Sequence, residues 1–261
     1  MVVTMTMNTQ LEIFYEIVMI VFGIFIGSFL NVCIFRIPRK ESVVVTRSHC
    51  MSCGEQIKWY DLIPVLSFII LRGKCRHCKT KLSLQYPLVE FTNGVGYAII
   101  VIINGVSVET ILYCLCTSAL LTLSVIDWKT YEIPIVFNAF IGVLGIIRLL
   151  TDYKNWYVYV IGFVAVSSFL YILVCATKGR AMGGGDVKLM AVAGLLVGWQ
   201  NIILALVLGC IFGSIIHSVL MRIKGKDHML AFGPYLSLGI YISMVCGNEI
   251  IQWYLNTFVK R

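Results

Sequence analysis

Two aspartates and four cysteines carry most of the chemistry available to this sequence. Asp127 stands in the segment SVIDWKTYEIP, Ser124–Pro134, where it closes one apolar run and precedes another, with Pro134 suited to the first turn of the next helix. Asp186 follows three glycines, Gly183, Gly184 and Gly185. Glycines there remove side-chain bulk in front of the carboxylate, so backbone and substrate can approach closely, and they permit non-helical dihedrals at a helix entrance. Two close carboxylates cannot both ionise cheaply and share a proton near neutrality. One then serves as general base on a water while its protonated partner polarises a carbonyl. Such a site hydrolyses peptide bonds with neither a metal nor a nucleophilic side chain. Taken singly, each aspartate has a plainer alternative, as a helix N-cap or as the partner of Lys129 or Lys188.

The cysteines fall into two populations. Cys33, Cys114, Cys116, Cys175, Cys210 and Cys246 lie in or at the ends of apolar runs, where a free Cys is an ordinary small hydrophobe. Cys50, Cys53, Cys75 and Cys78 form two Cys-x-x-Cys pairs. That spacing lets four thiolates close a tetrahedron around Zn²⁺, and four protein ligands leave no open position, so the ion would be structural. Gly54 suits the first turn, and Lys74 and Lys79 would offset thiolate charge at the second. Two disulfides are the competing reading, disfavoured if the loop is cytoplasmic. His49 and His77 flank the pairs and could replace a Cys, or be solvated loop histidines.

The elements that must position these groups follow from composition. Of 261 residues, 59% are hydrophobic and 13% charged. Average soluble domains are about 45–50% apolar and about 25% charged. A water-soluble fold and a disordered chain are both excluded. The expectation is an all-α polytopic membrane protein of about eight transmembrane helices with a cytoplasmic zinc-knuckle insert. The spans read as Leu11–Phe35, Tyr86–Ile103, Val108–Ile126, Ile133–Leu150, Trp156–Thr177, Val187–Trp199, Ile202–Met221 and Met229–Phe258. The apolar stretch Trp59–Leu71 is too short to span and belongs to a loop or the interface. Residues 11–106 read as one domain, two spans plus the four-Cys loop 36–85, and 107–261 as a second.

Net charge is +8, with 21 Lys and Arg. Seventeen of them fall in alternate loops on one side and only Arg148, Lys154, Lys260 and Arg261 on the other. The positive-inside rule makes the four-Cys loop cytoplasmic and both termini external, and it explains the positive charge without nucleic acid. Ionisable groups at membrane depth are costly and so are functional candidates. Once acids in loops or at outer span ends are set aside, Glu90, Asp127, Glu132 and Asp186 remain. Asp127 and Asp186 both fall at the cytoplasmic edge. No phosphate-binding loop, zinc-protease helix or serine nucleophile elbow is present, and His217 is a lone His in an apolar run. An ion or proton carrier, and a membrane anchor whose zinc loop docks other machinery, are the rival classes.

Several segments, in order, resemble one family. Gly27–Pro38 (GSFLNVCIFRIP), the four-Cys loop with Trp59–Pro64 (WYDLIP) between its pairs, Tyr86–Glu90 (YPLVE), Asp127 with Ile133-Pro134, Gly183–Lys188 (GGGDVK) and Ala231–Tyr235 (AFGPY) are similar to the prepilin leader peptidases, membrane aspartic peptidases of the GxGD type. The resemblance implies a bacterial cytoplasmic-membrane enzyme that cleaves the basic leader of type IV prepilins or pseudopilins after a Gly, on the cytoplasmic side. It implies Asp127 and Asp186 as the catalytic pair and Gly183, Gly184 and Gly185 as the loop before the second aspartate. Relatives with the cysteine loop commonly N-methylate the new terminus with S-adenosylmethionine, an activity that rests here on the resemblance alone. Glu90 is left open between that activity and a buried, hydrogen-bonded acid. Two departures stand out: Ile135 follows the Ile-Pro where relatives often have Asp or Asn, with Asn138 coming later, and Glu132 is the only second acid near Asp127. Oligomeric state leaves no mark in the sequence.

Overall fold

The computed structural model describes residues 2–45, 47–179, 182–224 and 230–259. Arg180, Lys226, Lys260 and Arg261, which enter the charge count, lie outside the described residues, as do Ala181, Asp227 and Met229. Among the described residues the chain is helical, with two isolated β-bridges in the four-Cys loop and no strand. The long helices are α1 (Val2–Arg36), α3 (Gln85–Asn104), α4 (Val108–Thr130), α5 (Ile135–Thr151), α6 (Trp156–Ala176), α7 (Gly184–Val197), α8 (Trp199–Lys224) and α9 (Gly233–Tyr254), and the short α2 (Leu66–Ile70) lies in the loop.

Each expected span coincides with one of the long helices, but five segments, on α1, α3, α4, α6 and α8, are long and apolar enough to cross a membrane. α5 has 17 residues and α7 only 14, so the expected count of eight spans is not established. α7 starts three residues before the expected Val187, at Gly184, and α9 starts at Gly233, where Pro234 occupies its first turn. Gly105 and Gly198, at φ 67° and 82°, end α3 and α7 in conformations that suit glycine.

The chain divides into two compact units, 1–118 and 119–261. In the first, α1 packs on α3 through glycine notches. A Cβ on Gly27 would stand 2.6 Å from the Glu90 Cα, so the two backbones touch there. A buried polar relay sits in the same bundle. The Asn93 amide donates to the Gly23 carbonyl (2.7 Å), Ser118 donates to Asn93 (2.9 Å), and the Tyr97 and Ser118 hydroxyls lie 3.0 Å apart. Each bond satisfies a group that lipid could not.

In the second unit α7 is the central helix, with α5 and α6 packed on it. Leu189, Met190, Ala193 and Leu196 are fully buried, which accounts for an apolar helix with no polar face. Gly162 of α6 and Gly194 of α7 meet backbone to backbone, leaving no room for a Cβ on either. α8 and α9 pair in the same way at Ala205 and Gly239. The outward faces are apolar: Phe22, Phe25 and Phe29 on α1, Phe169 and Ile172 on α6, Ile203 and Ile211 on α8. A soluble protein rarely shows apolar patches of that extent.

Candidate active site and metal centre

Asp127 lies in the last turn of α4, which closes when Tyr131, at φ 57°, donates its N–H to the Asp127 carbonyl (2.8 Å). Its side chain is 5% exposed, and its Oδ2 accepts the Gly233 N–H at 2.9 Å. Gly233 is the first residue of α9, so the carboxylate sits at the positive end of a helix 106 residues away. A Cβ on Gly233 would stand 2.7 Å from Oδ2. Glycine is therefore required there for close approach.

Asp186 occupies the first turn of α7, is 8% exposed, and accepts a backbone hydrogen bond from Gly183. Gly183, the N-cap, has φ −76° and ψ 147°, a conformation open to any residue. The glycines matter here for space rather than for dihedral freedom. A Cβ on Gly185 would press on Ile133 at 3.1 Å, whereas one on Gly184 would meet nothing within 4 Å. Ile133 also abuts Gly233, so one side chain packs between the start of α7, which carries Asp186, and the start of α9, which binds Asp127. Asp186 lies close enough to Asp127 to feel its charge, and the two carboxyls face the N-termini of α7 and α9 respectively.

Glu132 is exposed, unlike the two buried aspartates. Sequence reasoning assigned no role to Gly233 beyond its place in the AFGPY segment, because its bond to Asp127 links positions 106 residues apart. Three polar residues in the early turns of α5 and α9 are buried: Asn138, Tyr235 and Ser237. Among the described residues, neither the Asn138 amide nor the Tyr235 or Ser237 hydroxyl has a hydrogen-bond partner.

The four-Cys loop consists of two knuckles built alike. Cys50 N–H donates to the Glu55 carbonyl and Gly54 N–H to the Cys50 carbonyl (both 2.8 Å). Cys75 donates to Thr80 (2.9 Å) and Lys79 to Cys75 (3.1 Å) in the same pattern. Gly54 and Lys79 take the matching left-handed position, at φ 72° and 58°. The four Sγ atoms lie within 4.8 Å of one another, with Cys50 and Cys78 3.8 Å apart. That is the edge of a tetrahedron with metal–sulfur bonds of about 2.3 Å. All four are free thiols, and the Thr80 hydroxyl and backbone hold the Cys78 thiol down to about 6, ready to bind as thiolate. These residues fit a structural metal. Neither His49 nor His77 joins the cluster; the His49 Nδ1 lies against the Arg47 carbonyl instead.

Residues 21–104 match the model of the bacterial peptidase A24 N-terminal domain, and residues 114–218 match that of the type IV leader peptidase family. A prepilin leader peptidase/N-methyltransferase of Bacillus subtilis is 31% identical over 91% of this chain and 97% of its own length. The chain belongs to the type IV leader peptidase family. Proteins of the same name from Aeromonas salmonicida and Pseudomonas putida are 30% and 29% identical, over 94% and 88% of the chain and 95% and 90% of their own lengths. No solved structure matches it. With five helices long and apolar enough to cross a bilayer, the protein is a multi-pass inner-membrane protein, and both matched segments fall on its helices.

Proposed function

We propose that the protein is a membrane aspartic endopeptidase in which Asp127 and Asp186 are the catalytic pair. It cleaves the basic leader of type IV prepilins or pseudopilins after a Gly, on the cytoplasmic side, and N-methylates the new terminus. The observation that carries this reading is a pair of buried carboxyls in mutual electrostatic reach, each held by a backbone N–H at a helix N-terminus. Like charges so placed share one proton. The ionised member draws a proton from water, and the protonated member donates to the scissile carbonyl as the tetrahedral oxygen develops charge. The open side of Gly184 leaves space for an extended peptide, and a peptide backbone is the kind of ligand that satisfies the Asn138 amide and the Tyr235 hydroxyl.

Zn²⁺ is the ion that best suits four cysteine ligands with no open position, and its role is to hold the loop. S-adenosylmethionine supplies the methyl group. The loop is cytoplasmic and both termini are external, on the strength of the cation asymmetry. The division at 106/107 places the four-Cys insert in the N-terminal domain and both aspartates in the C-terminal one.

Asp127→Asn and Asp186→Asn test the pair. Each keeps its shape and loses the shared proton, so prepilin processing falls by about a hundredfold or more while membrane insertion persists. Normal processing by either variant removes that residue from the mechanism.

A further inference from the structure

The four-Cys loop carries an apolar face that the first unit leaves uncovered. α2 turns Ser67, Phe68 and Leu71 inward to the pocket beneath the loop, where the Phe68 ring lies against Gly73. Its other side presents Leu66, Ile69 and Ile70, at the i, i+3, i+4 spacing of one helix face, and these are 58%, 64% and 73% exposed. Trp59, at the start of the same apolar stretch, is exposed as well. The one acid of the stretch, Asp61, is held by the forked Arg76 guanidinium at 2.8 and 2.6 Å.

Glu90 fixes the level at which that face sits. α3 has 20 residues, a rise of about 30 Å that matches the hydrocarbon layer of a bilayer. Glu90 stands five residues in from Gln85, hence about 7–8 Å inside the end of the span. Its neighbours Leu88 and Phe91 are exposed, so lipid lines α3 at that level. The Glu90 Oε2 nevertheless accepts the Val65 N–H at 2.7 Å, which draws the residue that opens α2 down to the same level. The Ser28 side chain of α1 bonds to that carboxylate too. Val65 is β-branched yet held at φ 59°, ψ −52°, and such a backbone persists only where surrounding structure imposes it. Lys58 before the apolar stretch and Arg72 and Lys74 after it are all exposed, and their sign suits anionic headgroups.

We propose that residues 59–71 form an in-plane membrane anchor. Leu66, Ile69 and Ile70 insert among the acyl chains of the leaflet beside the four-Cys loop. Lys58, Arg72 and Lys74 meet phospholipid phosphates, and Trp59 sits at the interface between them. Glu90 is the tether that sets the depth. The four-Cys module is thereby laid on the membrane surface instead of swinging on its two connections.

The test uses the full chain in nanodiscs of phosphatidylcholine and phosphatidylglycerol, with a fluorescent amino acid placed at Ile70 or, for comparison, at the exposed Glu55 of the first knuckle. Emission from position 70 should be blue-shifted. Its quenching by phospholipid brominated near the carboxyl end of the acyl chains should exceed that at position 55 by about threefold or more. Equal quenching at the two positions, or none at position 70, overturns the anchor. A blue shift that appears only when an apolar substrate peptide is added, without lipid quenching, overturns the lipid occupant and gives the face to the substrate. Glu90→Gln keeps an oxygen for the Val65 N–H and should keep the quenching, whereas Glu90→Ala should lower it by about half or more. Unchanged quenching in Glu90→Ala, or equal loss in both variants, overturns the tether.

Discussion

At Gly233 the backbone N–H reaches the Asp127 carboxylate at 2.9 Å, while a Cβ would stand 2.7 Å from the same oxygen. The Gly233→Ala variant must therefore push the carboxylate away or break that bond. A displacement near 1 Å at a reacting group costs on the order of a hundredfold in rate. Leader processing should fall by at least about tenfold in this variant, with helical content by circular dichroism unchanged; normal processing would show that the contact is dispensable. That the two aspartates are buried was legible, because acids are scarce in this chain and only a few escape solvated positions. Gly233 was not. Its bond to Asp127 crosses 106 residues, and no local spacing encodes it. Ile133 escaped for the same reason, since its packing on Gly185 and Gly233 exists only once α7 and α9 are in place.

Among the elements, the cysteine knuckles were read most completely, since ligand type and spacing nearly determine the local turn. What spacing did not reveal is Lys79 at φ 58°, in the position that Gly54 fills in the first knuckle. A left-handed lysine costs about 1–2 kcal/mol, a strain that four converging thiolates and a bound ion would impose. Elemental analysis of the reduced, purified chain should therefore find about one zinc per molecule, lost in Cys78→Ser. A metal-free wild-type protein would leave the strain at Lys79 without its cause. Helix positions followed from the apolar runs, but their ends depended on particular residues. Pro234 delays α9 to Gly233, and Gly184 brings α7 forward. The close pairing of α6 with α7 at Gly162 and Gly194 was illegible, because a glycine in an apolar run looks the same whether it faces lipid or another backbone.

For the molecule as a whole, composition placed the chain in a bilayer, and the distribution of Lys and Arg is the basis for the direction proposed above. In intact spheroplasts the 36–85 loop should resist added protease, and in inverted vesicles it should be cut. Cleavage in spheroplasts would reverse the topology and place the aspartate edge on the wrong side for leader removal. Helix length adds a constraint that composition could not supply. α7 has 14 residues, a rise of about 21 Å, against a hydrocarbon layer of about 30 Å. A helix that short leaves one of its ends below the surface or draws the bilayer thin around it. Its glycine end carries Asp186, so the site would sit at the bottom of a dimple. Water, the second reactant in any hydrolysis, would then have a short descent to the carboxylates, and the cut could be made at bilayer depth without the substrate's apolar segment leaving the lipid.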